Sequence, residues 1–185
     1  MVGLLLLGAS SRVARVADAE MAPSLLPGDL VVVVPATPRE GDVVVVSDPL
    51  DPSRWTLRRV EAIGGAVRYD GRVFRTSNRP KVKLLDMGEY QGRPVELEGE
   101  HLVLRAESTT RARRDEVGVP DESAFLGADA RDDALDSRWW GPVPLDAIRG
   151  VVVARVGLPS TPWRGIFGGR GERAVVPQSK LGPAS

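Results

Sequence analysis

The chain has 185 residues, 42% hydrophobic and 27% charged, enough for one medium domain whose core needs no covalent staples. It holds no cysteine and one histidine, His101, which excludes disulfides, thiolate catalysis, Cys-bearing metal centres and multi-His metal sites. Twenty-five Lys and Arg balance 25 Asp and Glu, so no global field recruits nucleic acid or an anionic surface.

Residues 2–9 (VGLLLLGA) open the chain with an apolar run far shorter than the roughly 20 residues that span a bilayer. No basic residue precedes the run, and Arg12 and Arg15 follow it, so it reads as a first strand or packed segment rather than a signal peptide or convincing anchor. Fifteen Pro and 20 Gly break the chain too often for long helices. Residues 30–34 (LVVVV) follow the turn Pro27-Gly28-Asp29, and residues 43–46 (VVVV) follow Glu40-Gly41-Asp42. These β-branched runs do not alternate with polar residues, which predicts strands covered on both faces. Residues 56–63 (TLRRVEAI) predict a third strand, closed by Gly64-Gly65. Residues 67–69 and 72–74 predict a hairpin about a two-residue Asp70-Gly71 turn. A second hairpin joins residues 95–97 to 101–104.

Residues 77–118 are polar and less regular, and are read as an inserted β subdomain between the core segments 12–76 and 119–158. The stretch 146–148, and 18–25, are short helical turns at most. Residues 169–185, rich in Gly, Arg, Pro and Ser, predict a disordered tail. The class is mainly β.

Three segments carry chemistry. The first is Glu20-Met21-Ala22-Pro23-Ser24-Leu25-Leu26-Pro27-Gly28-Asp29, and the second is Leu57-Arg58-Arg59-Val60-Glu61-Ala62-Ile63-Gly64-Gly65. The third runs from Ala128-Asp129-Ala130-Arg131 through Asp136-Ser137-Arg138 to Gly141-Pro142-Val143. In this order they resemble the type I signal peptidases, membrane-bound serine endopeptidases with a Ser–Lys dyad. The resemblance implies coiled antiparallel β-sheets with an inserted β subdomain, no cofactor and no metal. It implies the extracytoplasmic face of the cytoplasmic membrane and a peptide or protein segment as partner, an active homologue or secretion component among them. It implies a structural motif of Gly28, Asp29, Asp129, Arg131, Asp136, Ser137, Arg138 and Gly141. It also places Asp18, Glu20, Met21 and Pro23 against an extended peptide.

The departures from the family fall on the catalytic positions. Glu20 stands where the nucleophilic Ser is expected, Arg58 at the Lys general base, Ala134 at the supporting Ser, and Asp18 at an oxyanion-hole hydroxyl. A carboxylate is a weak acyl nucleophile, and an arginine side chain stays protonated and cannot act as base. Asp18 sets negative charge where a tetrahedral intermediate develops its own. Three readings follow: a pseudoprotease that binds extended peptide or a protein, an active signal peptidase with atypical residues, and a structural subunit of a membrane complex.

Further expectations attach to single residues. Glu20 and Arg58 should form an ion pair, the guanidinium fork gripping the carboxylate twice, with Asp18 competing from the same strand face. Asp136 and Arg138 should pair in a buried site. Ser24 is structural, and Trp139 and Trp140 are packing residues. His101 is a polar strand residue with no nucleophile set around it. The acids Asp129, Asp132, Asp133 and Asp136 lack the spaced Gly and terminal Glu of a calcium loop. The run at 111–114 (RARR) is a solvated loop, and Gly168-Gly169-Arg170-Gly171 is a weak phosphate signal.

Overall fold

The computed structural model describes residues 11–105, 116–132 and 134–156. The apolar run at 2–9, the arginine run at 111–114, the stretch at 168–171 and the tail at 169–185 lie outside the described residues.

The described residues are mostly antiparallel strands. In order they are β1 (Arg12–Arg15), β2 (Leu30–Val34), β3 (Val43–Asp48), β4 (Asp51–Tyr69), β5 (Phe74–Thr76), β6 (Leu84–Tyr90), β7 (Arg93–Glu98), β8 (His101–Leu104) and β9 (Glu116–Gly127). A one-turn helix α1 (Ser137–Trp140), β10 (Val143–Pro144), a 3-10 turn (Leu145–Ala147) and β11 (Ile148–Val156) complete it. Eight strands form a main sheet in the order β1-β2-β11-β3-β4-β9-β10, with β5 on β4, and β6-β7-β8 form a smaller one. This is the mainly β fold the resemblance implies. Among the described residues no helix is long and apolar enough to cross a membrane.

The Val-rich runs become central strands because both faces of the main sheet are covered. Neighbours on a strand point to opposite faces, yet Val31 and Val32, and Val43 and Val44, are all buried. Val31, Val43 and Val152 pack with Met21 and Leu25 on one side. Val44, Val46, Val60, Leu126 and Val151 pack together on the other. Residues 18–26, a turn rather than a strand, wedge between the sheets. Met21 and Leu25 enter the main-sheet cluster, while Ala22 and Leu26 join Val95, Leu97, Leu102 and Leu104 of the small sheet.

Two local expectations are corrected. Gly64-Gly65 does not close the third strand: β4 continues to Tyr69, with a register shift at Ile63/Gly65. Both glycines take positive φ, and a Cβ on Gly65 would lie 2.9 Å from Ser77 Oγ, so the pair makes a bulge instead of an end. The following turn spans four residues rather than two, since Tyr69 pairs with Phe74. Asp70 Oδ1 accepts from the N–H groups of Arg72 and Val73, each at 3.0 Å, which fixes the wider turn. Burial alone would raise the Asp70 pKa; those two donors and Arg75 lower it instead. The second hairpin forms as expected, with Leu97 opposite Leu102 and Glu98 opposite His101.

Close approach at the β11 bulge generates a prediction. A Cβ on Gly150 would lie 2.7 Å from Val33 Cγ1 and 2.9 Å from the Val34 carbonyl oxygen. Since backbone cannot yield cheaply, Gly150→Ala should destabilise by about 1–3 kcal/mol in urea unfolding.

Candidate functional site

The site is set by the strand period. Arg58 and Arg59 are consecutive on β4, opposite Val44 and Val43 of β3, so their side chains leave opposite faces of the sheet. Arg58 turns toward a cleft of about 200 Å³ whose lining includes Asp18, Glu20, Asp48, Trp55, Thr56 and Leu135. Arg59 turns inward.

The expected pair forms: Arg58 Nη2 donates to Glu20 Oε2 at 2.6 Å, with the guanidinium 2% exposed and the carboxylate 31%. It is a single contact, however, and not the twofold grip the sequence suggested. The rest of the fork is already engaged: Nε and Nη2 donate to the Leu135 carbonyl at 3.1 and 2.7 Å. Nη1 donates to Thr56 Oγ1 and the Leu57 carbonyl at 2.5 and 2.6 Å. Ala134, buried where a supporting hydroxyl was expected, offers no acceptor, and the carbonyl of the next residue takes that place.

Asp18 does not compete for Arg58. Residues 18–25 form a turn, so positions 18 and 20 do not share a strand face, and Asp18 Oδ1 accepts from the Glu20 N–H at 3.0 Å. No ion pair links Asp18 to Arg58 among the described residues. Asp18 and Glu20 line the cleft. Met21 and Pro23, expected against the peptide, are buried, and Met21 fills the main-sheet core. Apolar side chains of that size gain more from the core than from a polar cleft.

Around the cleft lies a frame of buried ion pairs. Asp136 caps α1 by accepting from the Arg138 N–H at 3.0 Å, and grips the Arg138 guanidinium with two bonds of 2.8 Å. Its second oxygen also accepts from the Ala128 N–H at 2.9 Å. Arg138 donates in turn to the Arg131 carbonyl at 2.8 Å. Ser137 Oγ accepts from the Leu126 N–H and from Trp140 Nε1, at 2.9 and 3.2 Å. Gly141, at positive φ, ends the helix. Asp29 accepts from the Leu26 N–H at 2.9 Å, closing the turn that Gly28 allows. Trp140 packs beneath Arg58, its ring 5.6 Å from the guanidinium carbon, whereas Trp139 is 48% exposed and not the packing residue expected. The short helix turns one ring inward and leaves its neighbour in solvent.

Two features escaped sequence reasoning. Arg59 grips Asp129 twice, at 2.7 and 2.6 Å, with both side chains fully buried. The signal was the second basic residue beside Arg58. Second, Arg131 bridges Glu61 of β4 and Glu98 of β7, at 3.1 and 3.0 Å. Glu61, two residues past Arg59, reads in sequence as an ordinary polar strand position. His101 is the strand residue expected, at the start of β8, and it is buried with Nε2 3.9 Å from Glu61 Oε1. Burial first, then the guanidinium groups of Arg59, Arg131 and Arg79, hold its pKa well below the usual histidine range. Ser24 Oγ donates to the Leu102 carbonyl at 3.3 Å, a structural tie between the sheets.

The antiparallel two-sheet fold carries a carboxylate–guanidinium pair at the cleft, at positions where the resemblance implies a Ser–Lys dyad. The family described as "Signal peptidase, peptidase S26" matches residues 1–157, and the chain belongs to that family. A crystal structure of a signal peptidase I from Enterococcus faecalis V583 is similar over 63% of this chain and 97% of its own, at 17% identity and TM-score 0.40. No curated protein matches the chain significantly.

Two outcomes are expected. Glu20→Gln and Arg58→Met should each destabilise, and the double variant should lose less than the sum by about 0.5–3 kcal/mol in urea unfolding. Arg138→Ala strands Asp136 without its buried partner, and should cost about 3–5 kcal/mol and lower Tm by many degrees in calorimetry.

Proposed function

We propose that this protein is a signal-peptidase-like pseudoprotease that has lost peptide-bond cleavage and uses its cleft to hold an extended peptide segment. The observation that carries this reading is the Glu20–Arg58 contact of 2.6 Å, with every nitrogen of the Arg58 guanidinium engaged by an acceptor. Serine-type acyl transfer needs a hydroxyl that becomes strongly nucleophilic when it loses its proton, and a neighbouring base that can accept that proton. Neither Glu20 nor Arg58 offers that. Asp18, which lines the same cleft, adds negative charge where an oxyanion would form, and loss of one oxyanion donor alone costs about a hundred- to thousandfold in rate. Peptide capture by main-chain pairing at a strand edge needs no dyad, so it survives these substitutions.

Purified protein incubated with a signal-peptide substrate should give no more product than a heat-inactivated control, while the uncleaved peptide binds in calorimetry. Sequence-specific cleavage lost in Glu20→Ala would overturn the reading in favour of an active peptidase. Absence of both cleavage and peptide binding would favour a structural subunit.

A further inference from the structure

The cleft beside Glu20 and Arg58 carries more negative charge than that pair accounts for. Asp18, Glu20 and Asp48 bring three carboxylates to its lining, and Arg54 and Arg58 bring two guanidinium groups. Arg58 is buried and pairs with Glu20, so those two charges cancel within the wall. Arg54 is exposed on β4, and its charge also acts on Asp51, which lies outside the lining. Asp18 and Asp48 remain. Each accepts from a backbone N–H, Asp18 from Glu20 at 3.0 Å and Asp48 from Leu50 at 2.9 Å. Among the described residues neither has an ion-pair partner.

The apolar part of the lining sits beside these carboxylates. Trp55 is 55% exposed and Leu135 39%, so both offer hydrocarbon surface to an occupant of the 200 Å³ cleft. The Trp55 ring already takes a cation: the Arg149 guanidinium carbon lies 5.5 Å from its centroid. A ring that holds a guanidinium in solvent attracts any ammonium or guanidinium brought to it by the same quadrupole. A hydrocarbon wall next to carboxylates that lack a cation matches an apolar stem with a positive tip, the build of Lys and Arg. An acidic side chain would meet Asp18 and Asp48 with like charge. Both carboxylates are half-buried, so an apolar side chain would strip their remaining water and return nothing.

We propose that the extended segment held in this cleft carries a basic residue, Lys or Arg, whose cationic tip is received by Asp18 and Asp48 while its stem lies along Trp55. The proposal rests on the peptide-capture reading and names the side chain that capture selects. It also gives Asp18 a use: a charge adverse to an oxyanion favours a cation in the same place.

The test is calorimetry on the full chain with nonapeptides of Ala, Ser and Val, acetylated and amidated so that no terminal charge enters. One Lys is moved through successive positions, and each peptide is matched to its norleucine counterpart. In one register Lys should bind about three- to tenfold tighter than norleucine, the scale of one or two partly exposed ion pairs. Raised salt should shrink that ratio toward unity. Asp18→Asn and Asp48→Asn keep an oxygen for the backbone N–H that each carboxylate accepts, so the turns persist while the charge goes. Each should lower the ratio, and the double variant should abolish it. If a variant fails to fold, the wild-type ratio and its salt dependence decide. Equal binding of Lys and norleucine peptides in every register would refute the basic-residue assignment and leave peptide capture standing. A Lys preference retained in the folded double variant would refute it too. Failure of every nonapeptide to bind would also sink the proposal, and failure of the signal-peptide substrate as well would sink capture itself.

Discussion

A guanidinium taken out of water must find its hydrogen-bond acceptors within the fold, and Arg58, Arg59, Arg131 and Arg138 all face that requirement. Arg59 and Arg138 meet it with two-point grips on Asp129 and Asp136. Arg131 spreads its donors over Glu61, Glu98 and the Ala128 carbonyl. Arg58 leans on the Leu135 carbonyl, Thr56, the Leu57 carbonyl and Glu20. These contacts join β4 to the segment 128–138, to the turn at 18–26 and to the small sheet. Removing any one partner leaves a buried charge uncompensated, which costs far more than the pair contributes.

The consequence for function follows from the same constraint. A Ser–Lys dyad needs a lysine whose proton can leave, and lysine tolerates burial by shifting its pKa. Arginine cannot respond in that way. Buried on β4, Arg58 must instead collect permanent acceptors, and Glu20 supplies a charged one from across the cleft. The scaffold around it keeps its turns, its capped helix and its two-sheet core. The buried pairs Arg59–Asp129, Arg131–Glu61, Arg131–Glu98 and Arg138–Asp136 do not involve Glu20 or Arg58.

Much of the fold was legible in the strand runs, since LVVVV and VVVV are too apolar for any half-solvated element. The hairpin joining β7 and β8 was legible too, from Glu98-Gly99-Glu100 between two apolar triplets. The bulge at Gly64-Gly65 was not, because paired glycines signal an end and a bulge alike. Of the site, the Glu20–Arg58 pair followed from opposite charges at positions the family brings together. Its single-bond geometry did not, because the carbonyl of Leu135 competes for the same guanidinium and no sequence pattern announces a carbonyl.

The sequence by itself determined the class of fold, the ordered motifs, and an acid and an arginine at positions where the resemblance implies a nucleophile and a base. These are properties of residue type and spacing, which strand periodicity and side-chain chemistry translate directly. Only the tertiary structure decided that Met21 and Pro23 are buried, that Asp18 caps a turn, and that Arg131 joins Glu61, some 70 positions away, to Glu98. Those outcomes depend on which strands become neighbours across the seam, and a partner brought in from a distant part of the chain leaves no periodic trace in either segment.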